Sequence, residues 1–201
     1  MKEKPVSGPN LDIPDWLRPF AVVVAAVGVM WVVEIVDLIP RVDPDRWGIR
    51  PRELDGLVGV PAAPFLHNGF GHLIGNTIPL LILGSVIAFS GIQRVVQVTV
   101  IVVAVSGLGT WLLGSDNSLH IGASGLVFGY LTYLLARAVF ERKFAYLIGG
   151  LIVLFLYGSV LWGLVPRPGI SWEGHLFGAI GGVLAARFIH APRERTLPDP
   201  V

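Results

Sequence analysis

The sequence contains no cysteine and unusually little charge. Cysteine is absent from all 201 residues, which excludes disulfides, thiolate metal sites and cysteine nucleophiles. Charged residues make up 14% of the chain, whereas a soluble domain carries about 25%. The net charge is only +1, so the chain has no strongly basic surface for nucleic acid. Any catalysis must therefore use hydroxyl, imidazole or carboxylate groups.

Apolar sequence dominates instead: 53% of the residues are hydrophobic and the mean hydropathy is +0.70. This excludes a disordered chain, which needs low hydrophobicity and high net charge. A membrane-spanning helix needs about 20 mostly apolar residues to cross about 30 Å of hydrocarbon. Six windows fit, at approximately residues 19–39, 70–89, 95–113, 122–136, 144–165 and 172–189. The sequence therefore predicts an all-α integral membrane protein with a bundle of six transmembrane helices.

Basic residues predict the orientation of these spans, because cytoplasmic loops carry an excess of Lys and Arg. With the N-terminus inside, ten basic residues lie on the inner side and five on the outer side. We therefore expect a multi-pass protein of the cell membrane with both termini in the cytoplasm. The first window is too long for a signal peptide and is interpreted as a retained span. The expected divisions are a tail at 1–18, a six-span domain at 19–190 and a second tail at 191–201.

Polar side chains inside the spans are costly and therefore indicate function. His72 and Asn76 are four residues apart, so they share one face of the second span. The fourth span carries Ser124 and the sixth carries His175. A rise of about 1.5 Å per residue places Asn76, Ser124 and His175 about 10 Å below the outer surface. Three separate segments thus bring polar groups to one level.

A serine and a histidine at one depth suggest a hydroxyl nucleophile whose proton is removed by imidazole. The oxyanion formed on attack at a carbonyl needs hydrogen-bond donors, and His72, Asn76 and the Ser124 backbone N–H are available. Four glycines flank these groups and allow close approach of a substrate or of a neighbouring helix: Gly122, Gly125, Gly178 and Gly182.

Taken together, these motifs resemble the rhomboid family of intramembrane serine proteases. The resemblance rests on HNGFGHLIGN at 67–76, GASG at 122–125, and His175 followed by Gly178 and Gly182. It covers approximately residues 20–190. It implies a rhomboid-like bundle that needs no cofactor or metal. It also implies an enzyme that lies in the lipid bilayer and cleaves transmembrane segments of other membrane proteins near the outer face.

The resemblance also implies roles for individual residues. Ser124 and His175 would form a catalytic dyad without an acidic third member, and His72, Asn76 and the Ser124 amide would form the oxyanion hole. His67 would shape the outer mouth of the site. Where many members have a tyrosine that stacks on the catalytic imidazole, this chain has Phe128, so a stacking ring remains. The Trp-Arg pair that many members carry in the first loop is absent, since the corresponding stretch reads LVGV at 57–60.

Three alternatives remain open. The first is an intramembrane metal site with nitrogen and oxygen ligands: His67, His72, His120, His175 and Glu173. The chain has no HExxH segment, and His67 and His72 are five residues apart, which argues against it. The second is an inactive rhomboid-like protein that binds transmembrane helices, although both Ser124 and His175 are retained. The third is a transporter, for which paired charges and inverted repeats are missing.

Four further polar residues have weaker claims to a function. His120 stands beside the polar stretch 115–118, which is interpreted as a wet mouth that admits hydrolytic water. His190 lies among arginines at the expected inner boundary and is interpreted as solvated. Asp37 is expected to face the membrane interface, while no rhomboid motif accounts for Glu34.

Overall fold

The computed structural model describes residues 13–141, 144–167 and 169–189. All long secondary-structure elements in these ranges are helices. The α-helices are α1 Arg18–Asp37, α2 Gly59–Ala62, α3 Phe70–Ala88, α4 Ile92–Leu113, α5 Ser124–Glu141, α6 Phe144–Tyr157 and α7 Trp172–Ile189. Short 3-10 turns occupy Pro44–Trp47, Asp55–Val58 and Ala63–Phe65, and a longer one follows α6 at Gly158–Leu164. The predicted all-helical class is confirmed. Residues 1–12 of the expected tail at 1–18, all of the expected tail at 191–201, and His190 lie outside the described residues.

Four helical segments are long and apolar enough to cross a membrane: Arg18–Asp37, Phe70–Ala88, Ile92–Leu113 and Phe144–Leu164. They indicate a multi-pass membrane protein. The predicted fourth and sixth spans correspond to α5 and α7, which carry buried polar side chains such as Arg137 and Glu173. These two helices can carry such side chains because protein rather than lipid surrounds much of their surface.

The central contact of the bundle joins α5 to α7 through glycine. A Cβ atom added to Gly178 would lie 2.2 Å from the carbonyl oxygen of Gly125, and one added to Gly182 would lie 2.0 Å from that of Gly129. The two backbones therefore touch, as small residues allow in membrane helices. On another face of α7, a Cβ added to Gly181 would lie 3.1 Å from the Cα of Val102 in α4.

The bounds of α5 differ from the predicted 122–136 at both ends. The helix begins at Ser124 because Gly122 has φ +111°, which is incompatible with a right-handed helix. It continues past Arg137 because that buried side chain has partners inside the protein. Its guanidinium pairs with Glu141 at 2.8 Å, donates to the Ser90 hydroxyl at 2.7 Å and lies 4.0 Å from the centroid of the Tyr146 ring.

The predicted helix at 144–165 also changes character along its length. It is α-helical only as far as Tyr157 and continues as a 3-10 helix from Gly158 to Leu164. Gly163 lies in the last turn of this segment, where carbonyls have no partner within the helix, and Pro166 three positions later has no N–H to offer. The carbonyl of Gly163 is therefore available to a side chain of α7.

The outer helices contact the core on one side only. α1 packs on α3, where the Trp31 indole N–H donates to the Thr77 hydroxyl at 3.1 Å. The opposite faces of α1 and α6 expose large apolar side chains, including Val32 at 60% and Phe155 at 88%. Contiguous apolar surface of this kind is suited to lipid.

Arg52 fastens the loop at 38–69 to the bundle. The Arg52 guanidinium donates to the carbonyls of Leu112 and Gly114 at 3.0 and 2.9 Å, and it pairs with Asp116. Its backbone N–H donates to the Trp111 carbonyl at 2.9 Å. This arginine therefore anchors the loop to the end of α4.

Candidate active site

One open cavity of about 1190 Å³ lies where the N-terminal ends of α3, α5 and α7 meet. All four side chains predicted to carry the chemistry line it: His72, Asn76, Ser124 and His175. They come from three helices that are distant in sequence. The cavity therefore brings together the residues that the sequence placed at one depth.

Ser124 is the first residue of α5 and follows a sharp turn. The turn is held from the loop at 38–69, because the Gly122 N–H donates to the Ala63 carbonyl at 2.8 Å. The next amide, that of Ala123, donates to His67 Nε2 at 3.4 Å. The first amides of a helix have no partner within it, and among the described residues no backbone acceptor binds the Ser124 N–H. That amide is available to an incoming oxygen.

His175 is oriented by a backbone carbonyl. Its Nδ1 lies 2.8 Å from the carbonyl oxygen of Gly163. Because a carbonyl only accepts, Nδ1 carries the proton, which leaves Nε2 of the neutral ring with a free lone pair. Phe128 stacks on the same ring at 4.3 Å between centroids and 10° between planes. The imidazole is thereby held in the tautomer that a base requires.

His72 has the opposite tautomer. Its Nδ1 accepts from the Asn68 backbone N–H at 3.4 Å, so the proton of the neutral ring is on Nε2. A Cβ atom added to Gly122 would lie 2.6 Å from this Nε2 and 3.7 Å from the side-chain nitrogen of Asn76. Both groups therefore reach the turn that precedes Ser124 as hydrogen-bond donors.

Asn76 and Ser124 both keep polar groups that are available to a substrate. The Asn76 side-chain nitrogen donates to the His72 carbonyl at 3.2 Å, which leaves its second N–H for another acceptor. Within the described part of the chain, Ser124 Oγ forms no hydrogen bond with His175. Catalytic hydrogen bonds are often long in an empty site and shorten when substrate binds.

His67 and His120 are the other histidines among the described residues, and their burial favours the neutral form of each. His67 is 1% exposed, and burial, with His72 as a smaller cause, lowers its pKa to about 4. It lies behind the turn at Gly122, where it accepts from Ala123. Burial also lowers the pKa of His120, against a smaller opposing effect of Glu173. Neither ring is a cation in the site.

The histidines do not form a metal site in the part of the chain that the structure describes. No three His, Asp or Glu side chains there lie together as a metal-binding group. Instead the histidines bind protein partners: His120 contacts two serine hydroxyls, and His175 contacts a carbonyl. The residues therefore do not supply the ligand set that the metal alternative requires.

Sequence reasoning missed the groups that hold the site in place. The carbonyls of Ala63 and Gly163 carry no signal in their side chains. Ser171 immediately precedes α7, a position where serine commonly marks a helix start. Glu34 is buried, 3% exposed, beside the backbone amide of Gly69. Because Gly69 immediately precedes α3, the Glu34 side chain lies at the electropositive end of that helix.

Comparison with known proteins supports the resemblance over most of the chain. The model of the rhomboid domain family matches residues 56–192, a range that contains α2 to α7. A protein of Mycobacterium tuberculosis named as uncharacterised is 43% identical over 191 residues, covering 90% of this chain and 80% of that protein. A second such protein, from Mycobacterium leprae, is 42% identical over 190 residues, covering 90% and 75%.

A more distant relative is a Bacillus subtilis protein whose name assigns it provisionally to the rhomboid proteases. It is 28% identical over 135 residues, covering 65% of this chain and 66% of that protein. The family match spans more than half of the chain and includes the motifs at 67–76, 122–125 and 175–182. The chain belongs to the rhomboid family.

Proposed function

We propose that this chain is an intramembrane serine endopeptidase that cleaves transmembrane segments of other membrane proteins near the outer face. The observation that carries the proposal is the shared cavity of Ser124 and His175, with His175 Nδ1 bound to a carbonyl and Nε2 free. The rhomboid family match supports the same chemistry.

In the first step, Ser124 Oγ attacks the carbonyl carbon of the scissile peptide bond, and His175 Nε2 takes the hydroxyl proton. The Gly163 carbonyl then stabilises the imidazolium through Nδ1–H, in the position that an aspartate occupies in a serine protease triad. His175 passes the proton to the departing amine, which leaves an ester on Ser124.

Negative charge develops on the carbonyl oxygen during this attack. The donors assigned to it are the backbone N–H of Ser124, His72 Nε2–H and the free N–H of Asn76. The tautomer of His72 supports this assignment, because its protonated nitrogen lies on the side of the Gly122 turn. In a site of low dielectric, such donors stabilise a transition state more strongly than they would in water.

Hydrolysis of the ester completes the reaction. The open cavity has room for water beside Ser124 and His175. His175 removes a proton from that water, and the hydroxide attacks the ester carbonyl. His175 then returns the proton to Ser124 Oγ as the ester bond breaks, which releases the acid product and restores the serine hydroxyl. A transmembrane substrate must unwind locally to reach this cavity, because its helical carbonyls are hydrogen-bonded and shielded. Small or helix-breaking residues in the outer part of a substrate span favour such unwinding.

The membrane arrangement that accompanies this function has six spans, formed by α1, α3, α4, α5, the segment Phe144–Leu164 and α7. Both termini are proposed to lie in the cytoplasm. The cavity then opens toward the outer face, since α3, α5 and α7 all begin there.

The test is cleavage of a single-span protein by the purified chain in liposomes, with the product mapped by mass spectrometry. Ser124→Ala and His175→Ala should each abolish cleavage, and the double variant should be no worse, because the two groups act as one unit. Ser85→Ala is a matched control, since Ser85 lies in α3 about 13 Å along the helix from Asn76, and it should remain active. Full activity of Ser124→Ala would overturn the proposal, and binding without cleavage by the unaltered chain would favour the inactive binder.

A further inference from the structure

The mechanism makes no use of His120, yet this residue joins three separate segments. It is 8% exposed and precedes Ser124 by four positions. Its Nε2 lies 2.7 Å from the Ser118 hydroxyl and its Nδ1 lies 2.6 Å from the Ser171 hydroxyl. Its backbone N–H and carbonyl both pair with Ile49, at 3.0 and 2.9 Å. His120 therefore contacts its own loop, the loop at 38–69 and the start of α7.

The hydrogen bonds around the ring have one consistent direction. The Ser118 hydroxyl donates to the carbonyl of Ser115, so its oxygen must accept from His120 Nε2–H. With the proton on Nε2, the neutral ring presents a lone pair at Nδ1, and the Ser171 hydroxyl donates to it. Every polar group of the ring is satisfied, and His120 has no free nitrogen with which to act as a base.

Ser171 connects this ring to the proposed catalytic histidine. Its carbonyl accepts from the His175 backbone N–H at 3.1 Å. Ser171 immediately precedes α7 and accepts a hydrogen bond from its first turn. A change in the position of Ser171 therefore moves the beginning of the helix that carries His175.

The ring contact lies on one side of the proposed dyad and a glycine contact lies on the other. His120 and Ser171 each precede a member of the dyad by four residues. Gly125 and Gly178 follow the dyad members, and their backbones touch. Ser124 and His175 are thus located between two contacts that join the same pair of chain segments.

We propose that His120 is a positioning residue that clasps the segment before Ser124 to the start of α7 and so holds Ser124 and His175 in register. This role rests on the proposed function. We define the clasp as the hydrogen-bonded set Ser171, His120 and Ser118. Ser124 Oγ and His175 form no hydrogen bond with each other in the described chain, so their register depends on contacts between the segments that carry them. The clasp is one such contact, alongside the bond from the Ser106 hydroxyl of α4 to the Gly174 carbonyl at 2.9 Å.

The experiment uses the full chain in liposomes and compares Ser171→Ala with the control Ser85→Ala. Ser171→Ala removes one hydroxyl of the clasp and retains the His120 ring. We expect kcat to fall about 10- to 100-fold with KM within about twofold, because loss of register affects the chemical step rather than binding. Ser85 lies in α3 about 13 Å along the helix from Asn76, so Ser85→Ala should match the unaltered chain.

Two variants of His120 distinguish positioning from chemistry. His120→Phe removes both ring contacts, whereas His120→Asn can still accept from Ser171. We expect His120→Asn to be more active than His120→Phe, and His120→Phe combined with Ser171→Ala to be no worse than His120→Phe alone. If both His120 variants are inactive while Ser171→Ala is unaffected, His120 acts chemically and the clasp proposal is wrong.

Hydrogen exchange separates this proposal from the proposed function. In Ser171→Ala, the backbone N–H groups of His120 and His175, which donate to the carbonyls of Ile49 and Ser171, should exchange at least tenfold faster than in the unaltered chain. Unchanged exchange overturns the clasp whatever the activity, and faster exchange with unchanged kcat overturns its positioning role. If the unaltered chain cleaves no substrate, the proposed function fails, and exchange still decides whether the clasp exists.

Discussion

Adding one methyl group at Gly178 should nearly abolish cleavage while leaving the protein folded. In Gly178→Ala, the new Cβ would lie 2.2 Å from the Gly125 carbonyl oxygen and 3.0 Å from the Gly125 Cα. Carbon and oxygen atoms without a covalent bond rarely approach closer than about 3.3 Å. The neighbouring atoms belong to backbone, so no side chain can rotate away. We therefore expect α5 and α7 to separate locally by about 1 Å.

The effects on stability and on activity should differ greatly in size. Overpacking costs about 1–3 kcal/mol, but alanine is favoured over glycine in a helix by about 1 kcal/mol. The net loss of stability should therefore be at most about 2 kcal/mol. Gly178 lies less than one turn after His175, so the separation displaces the proposed base from Ser124. A misplacement of about 1 Å can lower turnover by about 100-fold.

The assay measures kcat and KM for a single-span substrate in liposomes, together with the thermal midpoint. Gly149→Ala in α6 is the matched control, because no heavy atom lies within 4 Å of its added Cβ. It should retain full turnover. Full turnover by Gly178→Ala, with an unchanged midpoint, would show that the close contact between α5 and α7 does not position the dyad.

Three further outcomes follow from the structure. Asn76→Ala should lower kcat by about 10- to 1000-fold with a smaller effect on KM, measured by steady-state kinetics; unchanged kcat would remove Asn76 from the oxyanion hole. Arg52→Gln should lose about 1–2 kcal/mol of stability and open the loop at 38–69 to added protease, because two backbone carbonyls lose a charged donor; an equally resistant loop would contradict this anchoring. Burial, followed by the carboxylates of α1, raises the pKa of Asp45 to about 6. The fold thus disfavours the charged form of Asp45. At pH values above 6, Asp45→Asn should therefore have a higher thermal midpoint than the unaltered chain, and at pH values below the unfolded pKa of about 3.9 the two midpoints should be equal; equal midpoints across the whole range would contradict it.

The sequence alone determined the class of protein and the candidate chemistry. Low charge and long apolar windows predict membrane helices because hydrocarbon cannot satisfy unpaired backbone groups. Against that apolar background, Ser124, His175, His72 and Asn76 stand out, since each is costly in lipid without a function. The helical rise then allows their depths to be compared without coordinates. Local periodicity and composition are sufficient for these inferences.

Tertiary structure decided how those groups are held. His175 is oriented by the Gly163 carbonyl, which has no helical partner because it lies at the end of the 3-10 segment, and no side-chain pattern predicts that contact. The predicted span at 122–136 ends before Arg137. In the structure α5 continues past this residue, because Glu141, Ser90 and Tyr146 contact its guanidinium inside the bundle. His120 meets Ser171 across 51 positions of sequence. Such contacts depend on how distant segments pack, and packing is a property of the whole bundle rather than of any local pattern.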